Sequence, residues 1–203
     1  LSRILSDIKS LNIPNYEIII VGGSSKFDNV KHIDFDESQK KLWITRKKNL
    51  ITENAIYENI VYTHDYITFD SNWYNEFLKF GNDFSICMNR INNFDGTRYR
   101  DWTLWPGDQN WENQNGHYNE IQINKIVSNF ILPYSCKSLS KFMYISGAYW
   151  VAKKSVMIEF PMNENLIWGQ GEDVDWSLKV RKKYNFSINE KSEVSLLKYK
   201  DRI

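Results

Sequence analysis

The sequence predicts a single α/β domain built around a largely parallel sheet. Short apolar runs typical of buried strands alternate along the chain with amphipathic stretches of helical length. The clearest apolar run covers residues 16–21 and is closed by Gly22 and Gly23. With 203 residues the chain can bury a substantial core, and no shift in composition marks a boundary, so we expect one domain over residues 1–203.

The elements can be assigned in chain order. Leu1, Ile4, Ile8 and Leu11 recur at helical spacing and predict a first helix, which ends before Pro14. The same reasoning predicts strands over residues 16–21, 42–45, 60–63, 84–88 and 142–151, and helices over residues 49–59, 70–80, 121–130 and 172–184. Residues 89–117 lack a period and are rich in tryptophan, which favours an ordered functional loop.

Composition narrows the classes of function. A formal net charge of +1 provides no basic field for binding nucleic acid. No apolar run approaches the roughly 20 residues that a membrane-spanning helix needs. The only two cysteines, Cys87 and Cys136, fit a reducing compartment. We therefore expect no nucleic-acid partner, no membrane span and a cytoplasmic location.

An acidic cluster follows two glycines late in the chain. Glu172, Asp173 and Asp175 fall in the first turn of the last predicted helix, where free amides and the helix dipole favour carboxylates. The glycines permit close approach of a ligand to the backbone, and Trp168 and Trp176 offer flat faces that suit a sugar ring. The segment is therefore either a helix cap or part of a sugar-binding site.

A second polar group stands at the end of the strand predicted over residues 60–63. A carboxylate and an imidazole in this position, Asp65 and His64, can bind a divalent cation that in turn holds a diphosphate. A surface pair or a capping residue explains the two side chains equally well. The sequence contains no phosphate-cradling Gly-x-x-x-x-Gly-Lys-Ser/Thr loop, no Cys/His zinc spacing and no Gly-x-Ser-x-Gly elbow.

The order of these segments resembles that of the GT-A glycosyltransferases, particularly the inverting type of family 2. Residues 15–24, Asn-Tyr-Glu-Ile-Ile-Ile-Val-Gly-Gly-Ser, match a phrase that this family places at an early strand. Asp65 stands where the family's Asp-x-Asp motif ends, although Thr63 replaces the first acid. Glu172 and Asp173 match a late Glu-Asp pair that supplies the family's catalytic base.

The late segment is also similar to one in β-1,4-galactosyltransferases. Residues 168–175, Trp-Gly-Gln-Gly-Glu-Asp-Val-Asp, follow their Trp-Gly-x-Gly-Glu-Asp-x-Asp pattern, and residues 146–150, Ser-Gly-Ala-Tyr-Trp, resemble their glycine-rich strand on the acceptor side. The likeness spans nearly the whole chain. The family's first strand would precede Leu1, so we expect it to lie outside this sequence.

The resemblance implies a GT-A fold and an inverting displacement that moves a sugar from a nucleotide-sugar donor, a UDP-sugar, to a glycan or glycoconjugate acceptor. Asp173 is then the general base, and Asp65, with His64 or His117, holds Mn²⁺ or Mg²⁺ against the diphosphate. The donor-binding residues implied are Gly22, Gly23, Lys48, Asn49, His64 and Asp65, and the acceptor-binding residues are Gly147, Trp150, Trp168 and Glu172.

Three alternatives remain open at this point. Lys48 also fits a solvated charge run over residues 46–48. A non-catalytic glycan-binding module would keep the same aromatic and acidic residues without turnover. A sugar nucleotidyltransferase would share the α/β sheet, but such enzymes usually carry a glycine-rich basic phosphate loop near the first strand, which this sequence does not show.

Overall fold

A computed structural model describes residues 1–23, 27–105, 130–137 and 140–200. Its helices are α1 Ser2–Ser10, α2 Ile44–Asn54, α3 Trp73–Phe80, α4 Lys154–Glu159 and α5 Glu172–Val180, with a short 3-10 turn at Ser140–Phe142. Its strands are β1 Ile19–Val21, β2 Lys31–Ile33, β3 Asn59–Thr63, β4 Ile67–Phe69, β5 Ile86–Asn92, β6 Thr103–Leu104, β7 Phe130–Ile131, β8 Met143–Tyr144, β9 Tyr149–Lys153 and β10 Phe186–Leu196.

The central sheet has five strands in the order β3-β9-β5-β10-β4, and it is mixed rather than largely parallel. Only β5 and β10 run parallel, whereas β3 and β5 both run antiparallel to β9, and β4 runs antiparallel to β10. The expectation of a largely parallel sheet is therefore wrong. Its basis was the continuous apolar runs, and β5 and β9 are indeed buried on both faces. Burial on both faces follows from the layers that cover a sheet and does not fix strand direction.

Three elements differ from their sequence predictions. The helix expected over residues 49–59 lies earlier, as α2 over Ile44–Asn54, and Asn59 already belongs to β3. The strand expected over residues 42–45 is instead the entry to α2, which starts at Ile44 after Leu42 adopts a positive φ of 59°. There Thr45 Oγ1 donates to the Leu166 carbonyl at 2.8 Å, a tertiary contact that the strand-like composition of the segment does not reveal. The strand expected over 142–151 is interrupted by a turn at residues 145–148, which separates β8 from β9.

Several other predictions are confirmed. Helix α1 buries Ile4, strands β1 and β3 overlap the apolar runs that predicted them, and α5 begins with the acidic cluster. Strand β5 starts within its predicted run but continues to Asn92, so it and β6 occupy part of the stretch over residues 89–117 that was expected to be a loop. Of the helix predicted over residues 121–130, all but the last position lies outside the described residues, and Phe130 belongs to β7. Among the described residues, no helix combines the length and the apolar character that spanning a bilayer requires.

The core lies on both faces of the central sheet, because side chains alternate along β9. Tyr149 and Val151 pack into one apolar cluster with Trp73, while Trp150 and Ala152 pack into the other. The Trp73 indole donates to the Tyr149 hydroxyl at 2.9 Å, which satisfies a polar group inside the first cluster. Strand β9 is thus fixed from both sides, and so is the turn that leads into it.

A small antiparallel sheet, β7-β6-β8, packs beside the central one. Asp101, fully buried just before β6, pairs with Arg98 at 2.6 Å and accepts a hydrogen bond from the Tyr134 hydroxyl at 2.6 Å. Its other carboxylate contact is the backbone amide of Ile91 in β5, at 3.3 Å. This buried carboxylate joins the small sheet to the central one and fixes the segment that contains Arg100.

Candidate functional site

A pocket of about 250 Å³ opens where β3 ends and β9 begins. These two ends are neighbours because Thr63 pairs with Tyr149 in the antiparallel ladder. The walls come from the turn between β3 and β4, the segment at residues 99–105, the turn at 145–148, the glycine-rich entry to α5 at 168–174, and Lys200. Five distant parts of the sequence therefore meet at one end of the sheet.

Asp173 is held in this pocket by two backbone amides. The amide of Gly147 donates to Asp173 Oδ2 at 2.8 Å, and the amide of Val174 donates to Oδ1 at 2.9 Å. These contacts, at the first turn of α5, fix the direction of the carboxylate. Each oxygen retains lone-pair capacity for a substrate hydroxyl.

The close approach of the turn to Asp173 explains why a glycine stands at position 147. A Cβ atom added there would lie 3.0 Å from Asp173 Oδ2 and 3.4 Å from its Cγ. The turn is also tied to α5 through Ser177, whose hydroxyl accepts from the Ile145 amide at 3.0 Å and donates to the Asp173 carbonyl at 2.6 Å. Gly147 is therefore a packing requirement of the carboxylate.

Lys48 lies beneath the same turn. Its side chain, on α2, is only 4% exposed, and Nζ donates to the Gly147 carbonyl at 2.9 Å while lying 4.3 Å from the ring centroid of Trp150. Burial lowers the pKa of Lys48 to about 8, and the negative charges of Asp173 and Glu172 act in the opposite direction. The ammonium group thus supports the turn from below and is not part of the pocket wall.

His64 lines the pocket in the neutral form. Burial, together with the positive charges of Lys48 and Lys200, lowers its pKa to about 3. Its backbone amide donates to the Ala148 carbonyl at 3.1 Å, which holds the end of β3 against the turn. Asp65, the next residue, is exposed and is not part of the wall. Of these two predicted metal ligands, only His64 lines the pocket, so His64 is the better placed of the two.

The glycine-rich entry to α5 shapes the opposite side of the acidic cluster. Gly169 and Gly171 have positive φ values of 85° and 71°, a conformation that favours glycine. The Gly169 amide donates to Glu172 Oε2 at 3.2 Å, and burial raises the pKa of this glutamate. Trp168, also part of the wall, is 51% exposed and offers an accessible aromatic face.

Two basic side chains that the sequence did not point to also line the pocket, namely Arg100 and Lys200. Lys200 Nζ donates to the Tyr66 hydroxyl at 2.6 Å and lies 4.0 Å from the centroid of that ring. No local motif marks either residue, since Lys200 belongs to a Lys-Tyr-Lys run that is typical of a solvated surface. Tyr66, Tyr99 and Tyr144 complete this side of the wall.

The structure brings together five of the predicted site residues in this pocket: His64, Gly147, Trp168, Glu172 and Asp173. It does not support a contact between Trp150 and an acceptor, because that ring is completely buried and stacks on Tyr62 with centroids 4.7 Å apart. Its contact with Lys48 gives the ring a supporting role beneath the turn.

Three other predicted residues lie away from the pocket wall. The side-chain amide of Asn49 donates to the Met162 carbonyl at 3.0 Å and accepts from the Met162 backbone amide at 2.9 Å. Asn49 therefore holds the Met162 segment in place and does not line the pocket in which a sugar donor would bind. Gly22 and Gly23 follow β1 with positive φ values of 79° and 80°, and the Gly22 amide donates to the Ile33 carbonyl at 2.9 Å. His117 lies outside the described residues, as does Trp111 of the tryptophan-rich stretch.

The fold is similar to that of a glycosyltransferase of known structure. It is shared with GalNAc-T7, solved as a crystal structure with UDP, GalNAc and Mn²⁺, at a TM-score of 0.61 and 13% sequence identity. The match covers 96% of this chain and 41% of that one, so this chain spans about two fifths of its length. No protein-family profile matches the sequence, and no curated protein matches it.

Proposed function

We propose that this chain is a glycosyltransferase domain that transfers a sugar from a UDP-sugar to an acceptor hydroxyl. The observation that carries the proposal is a carboxylate, Asp173, fixed by two amides in a pocket at the end of the sheet. The fold adds support, because GalNAc-T7, which shares it, was solved with UDP and GalNAc bound.

The proposed reaction is an inverting displacement. Asp173 accepts the proton of the acceptor hydroxyl while that oxygen bonds to the anomeric carbon, and the bond from this carbon to the diphosphate breaks as the nucleoside diphosphate leaves. Positioned bases of this kind contribute about 10²–10⁴-fold to a rate. The Gly147 and Val174 amides orient the carboxylate, and Lys48 supports the Gly147 turn through its carbonyl.

Trp168 and Glu172 are proposed to bind the acceptor. Both line the pocket beside Asp173, and Trp168 presents an exposed aromatic face of the kind that stacks on a sugar ring. Glu172 is tied to the Gly169 amide, so its carboxylate has a fixed position from which to accept a hydroxyl hydrogen bond. Gly147 leaves room for the acceptor oxygen next to the base.

Mn²⁺ or Mg²⁺ would offset charge on the diphosphate, as divalent cations do in other phosphate chemistry. His64 fits such an ion because its neutral ring faces the pocket. Asp65 is the nearest carboxylate in sequence, although it is exposed. Within the described residues no group of three His, Cys, Asp or Glu side chains is arranged to hold a metal, so they supply at most part of a site.

The test measures nucleoside diphosphate release from a panel of nucleotide sugars, with and without Mn²⁺, for the wild type and Asp173→Asn. Asp175→Asn is the matched control, because Asp175 stands in the same helical turn but pairs with Lys179 at 2.7 Å and is not part of the wall. We expect Asp173→Asn to lose about 10²–10⁴-fold in kcat and the control to retain activity.

Each other outcome has a defined meaning. Full activity of Asp173→Asn would remove the assigned base, and a product with retained anomeric configuration, seen by NMR, would replace the displacement step. Turnover in the absence of Mn²⁺ would take the metal role from Asp65 and His64. Glycan binding without turnover of any donor would identify a non-catalytic glycan-binding module instead.

A further inference from the structure

Arg100 and Lys200 reach the pocket from distant parts of the chain. Arg100 precedes β6, and Lys200 follows β10, where its backbone amide donates to Asn93 Oδ1 at 3.1 Å. Both line the pocket that contains Asp173. Two positive groups therefore face the same small space from independent segments.

The structure holds both side chains in place although the backbone at Arg100 is strained and Lys200 is partly buried. Arg100 has a φ of 22°, a conformation that is strained for a residue with a Cβ atom and that persists where surrounding contacts fix it. The next residue, Asp101, supplies such contacts, because it is buried and pairs with Arg98. Burial and the neighbouring charges of Lys198 and Arg100 lower the pKa of Lys200.

The chemistry of the two side chains indicates the ligand. A guanidinium group can donate two parallel hydrogen bonds to phosphate oxygens, and an ammonium group acts as a point charge with three donors. One of the Lys200 donors is used by the Tyr66 hydroxyl. The carboxylates of the pocket are engaged by backbone amides, Asp173 by Gly147 and Val174, and Glu172 by Gly169.

We propose that Arg100 and Lys200 form a subsite for a phosphate-bearing group. The assignment of that group to the donor rests on the proposed function: the leaving diphosphate gains negative charge as the bond to the sugar breaks, and these two cations would stabilise it. A phosphate carried by the acceptor has the same chemistry, and kinetics separates the two sources.

Pyrophosphate is the probe, because it contains the diphosphate without any base or sugar. Its binding is measured by isothermal titration calorimetry in the presence of EDTA, so that protein groups alone are tested. We expect Lys200→Met to weaken pyrophosphate binding about tenfold, as the loss of a charge-assisted hydrogen bond does, and Lys200→Arg to restore most of it. Arg100→Gln should weaken binding to a similar extent.

Lys198→Met is the matched control. Lys198 is exposed and its Nζ lies 4.7 Å from the centroid of the same Tyr66 ring, but it is not part of the pocket wall. Its removal should change the affinity by no more than about twofold, as expected for a surface charge. Equal losses of affinity in Lys198→Met and Lys200→Met would overturn the subsite. So would the absence of pyrophosphate binding by the wild type at a pyrophosphate concentration of about 10 mM, because any binding would then be too weak to be specific.

The outcome is separable from that of the proposed function. Pyrophosphate binding that depends on Lys200, without transfer of any sugar, would support the subsite and count against the transferase. Sugar transfer with pyrophosphate binding unchanged in Lys200→Met would do the reverse. When both hold, a rise in the donor KM of Lys200→Met assigns the phosphate to the donor, and a rise confined to phosphorylated acceptors assigns it to the acceptor.

Discussion

Replacement of Lys48 by methionine tests the architecture beneath the pocket. Methionine preserves the length and apolar stem of the side chain but removes the ammonium group that donates to the Gly147 carbonyl at 2.9 Å. Burial lowers the pKa of this lysine from its ordinary value of 10.5 to about 8. The unfolded chain regains the ordinary value, so the stability of the wild type must depend on pH through this group.

The sign and size follow from proton linkage. Below pH 8 both states of Lys48 hold the proton, so the group contributes no pH dependence there. Between pH 8 and 10.5 the unfolded state binds more protons than the folded state, and stability therefore rises with pH. At about 1.4 kcal/mol for each pH unit between the two pKa values, the wild type gains roughly 3 kcal/mol over this window. Lys48→Met lacks this gain.

The assay is urea unfolding of both proteins at several pH values from 7 to 10.5, analysed as the difference in free energy of unfolding. Taking the difference cancels titrations common to both chains. Lys9→Met, at an exposed position of α1, reports the effect of removing a positive charge as such. A difference between wild type and Lys48→Met that stays constant across the window would refute the reasoning, because it would mean that Lys48 keeps its ordinary pKa and is not buried beneath the turn.

Two further predictions concern the pocket wall. In Gly147→Ala the new Cβ atom lies 3.0 Å from Asp173 Oδ2 and displaces the carboxylate by a few tenths of an ångström. We expect kcat to fall about tenfold with little change in Tm. An unchanged kcat would mean that the position of the carboxylate does not matter. Trp168→Ala removes a half-exposed face and should raise the acceptor KM by up to about tenfold at constant Tm, and an unaltered acceptor KM would exclude stacking there.

The parts of the fold that sequence predicts well are those with a strong local period. Helix α1 and strands β1 and β3 follow apolar patterns that only one kind of element satisfies. The short run at residues 42–45 is ambiguous, and its contact with Leu166 decides in favour of a helix start. Strand direction is a property of chain connection, so the mixed sheet could not be read from apolar runs alone.

The site divides in the same way. Glu172 and Asp173 were predictable because glycines, tryptophan and carboxylates are adjacent in one segment. Lys200 was not predictable, because it reaches the pocket through the pairing of β10 with β4. This pairing brings the residues after β10 beside the end of β3, where the Leu197 amide donates to the Tyr66 carbonyl at 2.8 Å. Lys48 was singled out from sequence, but its role changed, because only the fold shows that it is buried under the turn.

The pairing of β6 with β7 has a consequence for how this protein can vary. Leu104 faces Phe130 in the ladder, so the chain leaves the small sheet and returns to it at adjacent positions. Closure is thus set by strand register, and doubling the length of the intervening chain would cost only about 0.6 kcal/mol of entropy. The register between β6 and β7 can therefore stay the same while the number of residues between the two strands changes.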